Sequence, residues 1–343
     1  MRSLIPSMRF GLRRLALGVA ACMFLGCLAG CERRPLLDQD FRTRVQVRVN
    51  LDGIQNVTCD IYNDKIPVPE IDPEVMHVLF YDGSGIATES YISGRTVDSE
   101  GKTVISGEVS VAPGSYRMLA YNFGTETTLI SGLGSYEGAV ASAAAVSETI
   151  ASRYKASTGE ESMVVYEPDH LTVAREPDEV IPPHTDLYTI EAECRTVVES
   201  YYLQIKVDGL EYVSGAQAWL SGLVESCAIA SGGRSGLPGV TEYIPLLKSD
   251  DKGEPVICAV FNTLGRIEGS TNELKVTFDL KTTDGKSVRK TFDISDLFLT
   301  ENCVKHHWLL LDEVIKIDPP KNAGGGFDPS VDDWDDEHHD ILI

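Results

Sequence analysis

Residues 43–51 read Thr-Arg-Val-Gln-Val-Arg-Val-Asn-Leu, so that Val45, Val47, Val49 and Leu51 alternate with polar side chains. A period of two places the apolar residues on one face and the polar ones on the other, which is the pattern of a half-buried strand. The alternation returns in residues 104–111, through Ile105, Val109 and Val111, and in residues 200–207, through Leu203, Ile205 and Val207. Residues 75–81 form a denser apolar run that ends in Asp82-Gly83-Ser84-Gly85. That turn signal lets residues 86–92 come back as a hairpin partner. After Pro113-Gly114, Tyr116, Met118 and Ala120 share one face of a strand, and Arg117, Leu119 and Tyr121 share the other. Four more strand-like runs cover residues 255–261, 272–280, 286–294 and 303–317, with Asp284-Gly285 as a hairpin signal between two of them. Residues 131–156 are weakly periodic and read as a loop with a helical turn around 141–150. Many short strands separated by turns, with no long helical period, specify an all-β chain of sandwich type.

The chain of 343 residues is long enough for two domains. Residues 178–185 contain Pro182 and Pro183, which cannot serve the interior of a sheet, and the boundary is placed there. The expected domains are 43–182 and 183–320. Pro319-Pro320 stops the last strand, and residues 321–343 form a Gly-rich acidic tail with Phe327, Val331 and Trp334 among its carboxylates. At the other end, Arg2, Arg9, Arg13 and Arg14 precede an uncharged run over residues 15–28, followed by Ala29, Gly30 and Cys31. This is the layout of a secretory signal. The run is shorter than the roughly 20 residues of a spanning helix, and Glu32, Arg33 and Arg34 end it. Residues 1–30 are therefore read as a signal peptide and 31–42 as a tether.

Leu28-Ala29-Gly30-Cys31 resembles the lipobox of bacterial lipoproteins. The resemblance implies cleavage before Cys31 and acylation of its thiol, and multiple acyl chains hold a protein stably on a bilayer. A second resemblance rests on the turn and the run Gly114-x-Tyr116-x-x-x-x-Tyr121-Asn122, with a strand like residues 75–81 upstream and the tail Gly-Gly-Phe-x-Pro-x-Val-x-x-Trp at the end. These resemble the fimbrillin-like anchor and accessory lipoproteins of Bacteroidales. The resemblance implies two tandem transthyretin-like antiparallel β-sandwich domains, a structural role for Gly114, Tyr116, Tyr121 and Asn122, and fimbrial subunits as partners. It also implies an anchor or accessory subunit that fixes or terminates a surface fibre through strand-mediated contacts, held on the outer membrane by Cys31. Polymerising subunits of that family are cut after a basic residue beyond the first strand. Arg44 and Arg48 lie inside the first strand here, which favours an uncleaved anchor. Such surface lipoproteins often carry an acidic run after the cysteine, whereas Arg33 and Arg34 stand here, so both membrane faces stay open. The tail has two uses on sequence grounds: docking into a partner through Phe327, Val331 and Trp334, or packing on its own second domain.

Other classes find little support. The formal charge is −22, and loss of the four leader arginines takes it to −26; such a surface repels nucleic acid. No Gly-x-Ser-x-Gly elbow, His-Glu-x-x-His helix or phosphate loop occurs, so no enzyme activity and no cofactor are expected. Cys59, Cys194, Cys227, Cys258 and Cys303 have no Cys-x-x-Cys spacing, and disulfides and buried thiols remain open for them. His306-His307 falls in a strand-like run, where neighbours point apart, and no metal site is expected. The acidic tail lacks the spaced ligands of a calcium loop. Trp219, Tyr201, Tyr202 and Tyr212 are candidates for a sugar platform, and a surface glycan-binding lipoprotein of a nutrient-uptake system is the alternative function.

Overall fold

The computed structural model describes residues 41–54, 71–159, 162–183, 186–234, 238–250, 252–266 and 273–320. The N-terminal half contains β1 (Thr43–Asn50), β2 (Met76–Asp82), β3 (Gly85–Ile92), β4 (Gly94–Val97), β5 (Thr103–Val111) and β6 (Gly114–Asn122). It continues with β7 (Thr128–Ser131), β8 (Val140–Ala143), the helix α1 (Glu148–Thr158), β9 (Val164–Val165), β10 (Thr172–Ile181) and β11 (Tyr188–Thr196). Eight of these strands form one sheet in the order β3-β2-β6-β10-β11-β1-β5-β4. β3 and β4 sit at its opposite ends although only Ser93 separates them, so the sheet curls and the chain steps between its layers there. At that step Ile92 packs over Gly107 of β5, where a Cβ would lie 2.6 Å from the Ile92 Cγ2. The alternating valines of β1, together with Met76, Val78 and Phe80 of β2 and Tyr116, Met118 and Ala120 of β6, fill the interior. Each Val, Met or Phe among them stabilises by roughly 1.5–3 kcal/mol when fully buried.

The second half contains β12 (Glu199–Asp208), β13 (Val213–Val224), β14 (Ser226–Ala228), β15 (Pro238–Tyr243), β16 (Leu246–Ser249) and β17 (Pro255–Thr263). β18 (Lys275–Thr282), β19 (Ser287–Asp293), α2 (Glu301–His306) and β20 (Trp308–Lys316) complete it. Two sheets, β16-β17-β12-β20 and β19-β18-β13-β15-β9, face each other across a core that includes Leu203, Ile205, Leu220, Phe261, Phe278 and Leu309. On the far side of the second sheet, Trp219 lies 6.0 Å from Tyr154 of α1, edge to face. The chain is thus all-β with sandwich packing. The sheets are mixed, because β1 runs parallel to β11, β12 to β20 and β15 to β9.

Several expectations change. The Pro182-Pro183 turn connects β10 to β11 inside the first sheet, and the chain leaves that sheet only after Thr196. The helical turn expected around 141–150 is displaced: residues 140–143 are β8, and the helix spans Glu148–Thr158, closed by Gly159 at φ 75°. The run 303–317 is a strand only from Trp308. Before it, the Thr300 hydroxyl caps α2 by accepting the Cys303 N–H, and His307 ends that helix at φ 59°. His306 and His307 are therefore a helix end and its cap, not a strand pair.

The halves interlock. β14 of the second half pairs with β8, and β9 of the first pairs with β15. The outer faces of β2, β6 and β10, through Leu79, Tyr81, Leu119 and Val173, share a cluster with Val224, Ile229 and Leu264.

Candidate interaction surfaces

The turn at Pro113-Gly114 delivers β6 between β2 and β10, near the middle of the eight-stranded sheet. Tyr116 turns back so that its hydroxyl donates to the Ala112 carbonyl at 2.9 Å, and its ring sits 3.2 Å from where a Cβ on Gly114 would lie. Phe80 meets the same ring edge-on at 6.1 Å. Tyr121, on the opposite face, places its hydroxyl 2.8 Å from His77 Nδ1, and burial pushes its pKa up to about 12. The Asn122 side chain donates to the His170 carbonyl at 2.9 Å and accepts the Thr172 N–H at 2.7 Å. The four residues thus lie at the turn, on the two faces of β6 and beside the start of β10.

Residues 167–171 form the strap where the two halves meet. Glu167 accepts the Asn262 N–H at 2.6 Å, and its carbonyl accepts the Thr127 hydroxyl at 2.7 Å. Asp169 accepts the N–H groups of Glu126 and Thr127, both at 2.5 Å. Asn262 donates to the Pro168 carbonyl at 3.2 Å and accepts the Ser200 hydroxyl at 2.8 Å, while His307 Nδ1 donates to the Ser200 carbonyl at 2.9 Å. Burial, helped by Asp169 and opposed by the Asn262 N–H, pushes the Glu167 carboxyl up to about 7. Tyr243 contributes a buried hydroxyl with no hydrogen-bond partner among the described residues. Nothing in the local pattern of Glu-Pro-Asp-His-Leu announces this role, because it depends on Asn262, which is distant in the chain.

Two surfaces carry unusual apolar content. At the β3 edge, His77 stacks on Tyr91 at 4.4 Å and Tyr91 meets Phe123 at 5.0 Å; Tyr91 and Phe123 are 54% and 59% exposed. The second is the outer face of β16-β17-β12-β20, where Tyr202, Val256, Cys258 and Trp308 form a cluster with Val260 and Leu310 against it. The unbroken apolar run 256–261 is its sequence signal, that of a strand buried on both faces.

The candidate aromatics do not converge on one surface. Tyr201 points into the sandwich core, Tyr202 points out of the same strand, and Trp219 is buried under α1. Cys194, Cys227, Cys258 and Cys303 are buried free thiols. Among the described residues no three His, Cys, Asp or Glu side chains converge as a metal requires, and no helix is long and apolar enough to cross a membrane. The lipobox Leu28, Ala29, Gly30 and Cys31, the residues Phe327, Val331 and Trp334, and Cys59 lie outside the described residues.

A sequence family described as "Domain of unknown function (DUF5119)" matches residues 30–236. A Bacteroides ovatus protein named "Putative fimbrium anchoring subunit Fim4B" is 26% identical over 344 aligned positions, covering 90% of this chain and 92% of the relative. Among solved structures, a chain described as a "putative adhesin" from B. ovatus superposes with a TM-score of 0.58 at 22% identity, covering 85% of this chain and 98% of the other. The fimbrial anchor protein Mfa2 from Porphyromonas gingivalis superposes with a TM-score of 0.48 at 13% identity, covering 78% and 88%.

Proposed function

The chain belongs to the DUF5119 family, and we propose that it is the anchoring subunit of a surface fibre, a structural protein with no catalytic role. The observation that carries this reading is the similarity to a relative named as a fimbrium anchoring subunit, which extends over nine-tenths of both chains. Cys31, acylated after removal of residues 1–30, is the point of attachment to the outer membrane. The tail residues Phe327, Val331 and Trp334 are the contact offered to the fibre. The paired position of β1 supports an uncleaved subunit, because β1 is bonded on one side to β11 and on the other to β5, so a cut at Arg44 or Arg48 would break both ladders.

Two experiments test this. Deletion of the gene should release fibres into the medium; fibres that stay on the cell at unchanged length would refute the anchoring role. Cys31→Ala should move the protein from the membrane to the soluble fraction and abolish incorporation of radiolabelled palmitate. Continued membrane association would show that the attachment lies elsewhere.

A further inference from the structure

Two half-buried arginines lie near Cys227, and they differ in one respect. Arg234 forms an ion pair with Glu199; burial lowers its pKa, and Glu199 more than offsets that effect. Arg175, on β10, has neither an ion pair nor a hydrogen bond among the described residues, and burial lowers its pKa. A guanidinium taken out of water without a partner is unfavourable, and arginine does not escape by losing its proton. The neighbouring strand adds a second positive charge. Val173 stands opposite Arg195 in the β10–β11 ladder, so Arg175, two residues further on, shares a face with Arg195.

Arg175 opens on a concavity of about 290 Å³ that Val173, Glu176, Glu193 and Arg195 also line. A Cβ on Gly232 would lie 3.2 Å from Arg175 Nη1, so the tip of the second half touches the guanidinium. We propose that this concavity binds a hydroxylated monocarboxylate of the size of one sugar acid, with its carboxylate on Arg175 and its hydroxyls on Glu176 and Glu193.

Charge, chemistry and size select this class. Arg195 already lies 3.9 Å from Glu193, so Arg175 is the uncompensated charge and a single carboxylate balances it. A planar carboxylate meets the guanidinium fork in two parallel hydrogen bonds. Glu176 does not neutralise Arg175: burial, helped by Glu179, pushes its carboxyl pKa up, and the group stays available to hydroxyls. The two rim carboxylates and the formal charge of −22 disfavour a ligand with several negative charges. The volume lies near the roughly 300 Å³ at which small-molecule sites begin, and four of the five lining residues are charged, which suits a hydroxylated ring and not an apolar one.

Calorimetric titration of the full chain in mild detergent tests the site, with glucuronate as probe and glucose and inorganic phosphate as comparisons. Glucuronate should bind with a Kd of about 1 mM or lower, and it should raise the melting temperature, as a ligand of the folded state must. Glucose, which lacks the carboxylate, and phosphate should bind at least about tenfold more weakly. Arg175→Gln should weaken glucuronate binding by about tenfold or more, while its ligand-free melting temperature stays at or above that of the parent because an unpaired charge is gone. Arg175→Lys should also weaken binding, since an ammonium cannot make the two parallel bonds. None of these outcomes depends on the anchoring role. Absence of glucuronate binding at about 10 mM, tighter binding of phosphate than of glucuronate, or an Arg175→Gln variant that binds as the parent does would overturn the proposal. A clear fall in the ligand-free melting temperature of Arg175→Gln would overturn it too, by showing that the guanidinium already has its partner within the chain.

Discussion

Glu167 shows how one side chain couples the halves to solvent conditions. Its carboxyl is held by the Asn262 N–H but taken out of water, and the burial cost dominates, so its pKa is raised from 4.5 to about 7. The unfolded chain releases this proton from about pH 4.5 upward, whereas the folded chain keeps it until about pH 7. Stability contributed by this group is therefore fully present below pH 4.5 and is lost as pH rises to about 7, by up to about 3 kcal/mol. Glu167→Gln keeps an acceptor for Asn262 without the charge. It should flatten the fall in melting temperature between pH 5 and pH 7.5 and leave the variant more stable than the parent at pH 7.5. An unchanged pH profile would show that Glu167 ionises freely in the folded protein. The Asn122 amide is the neutral counterpart, joining the end of β6 to the start of β10 with two hydrogen bonds and no titration.

Among the elements, β13 has the most demanding backbone. It pairs with β15 on one side and β18 on the other, and its register with β15 shifts between Ser221 and Leu223. Gly222 sits at that bulge with φ 94°, and a Cβ there would lie 2.3 Å from the Glu273 carbonyl. Both the left-handed conformation and the close approach require glycine. Gly222→Ala should cost about 1–3 kcal/mol in chemical denaturation, and a loss well under half of that would mean the bulge relaxes easily. Element type was legible where apolar and polar residues alternate cleanly or a turn pair stands between strands: the alternation of residues 43–51 and 200–207, and the Asp284-Gly285 turn, correspond to β1, β12 and the β18–β19 hairpin. It was illegible in residues 303–307, where a helix of six residues is too short to show a helical period, and the Thr300 cap and the left-handed His307 mark the switch to the strand.

At the scale of the molecule, the two halves are joined by more than a linker. A shared apolar cluster, the β8–β14 and β9–β15 pairings and the strap at residues 167–171 all cross between them. The expected consequence is one cooperative thermal transition, with calorimetric and van't Hoff enthalpies in agreement, as for a single unit. Two resolved transitions would mean that the crossing contacts add little. The sequence by itself determined the all-β class, most strand positions and the two faces of β6, because period-two patterning and turn residues are local properties that each segment carries alone. It is also the ground for proposing an export signal over residues 1–30 and a lipobox at Leu28-Ala29-Gly30-Cys31. Only the tertiary structure decided that β11 joins the first sheet, that β9 crosses to the second, that Glu167 is buried beside Asn262, and that Tyr202, Cys258 and Trp308 share an outer face. These are relations between residues far apart in the chain, set by which surfaces meet when the sheets pack, and no local pattern encodes them.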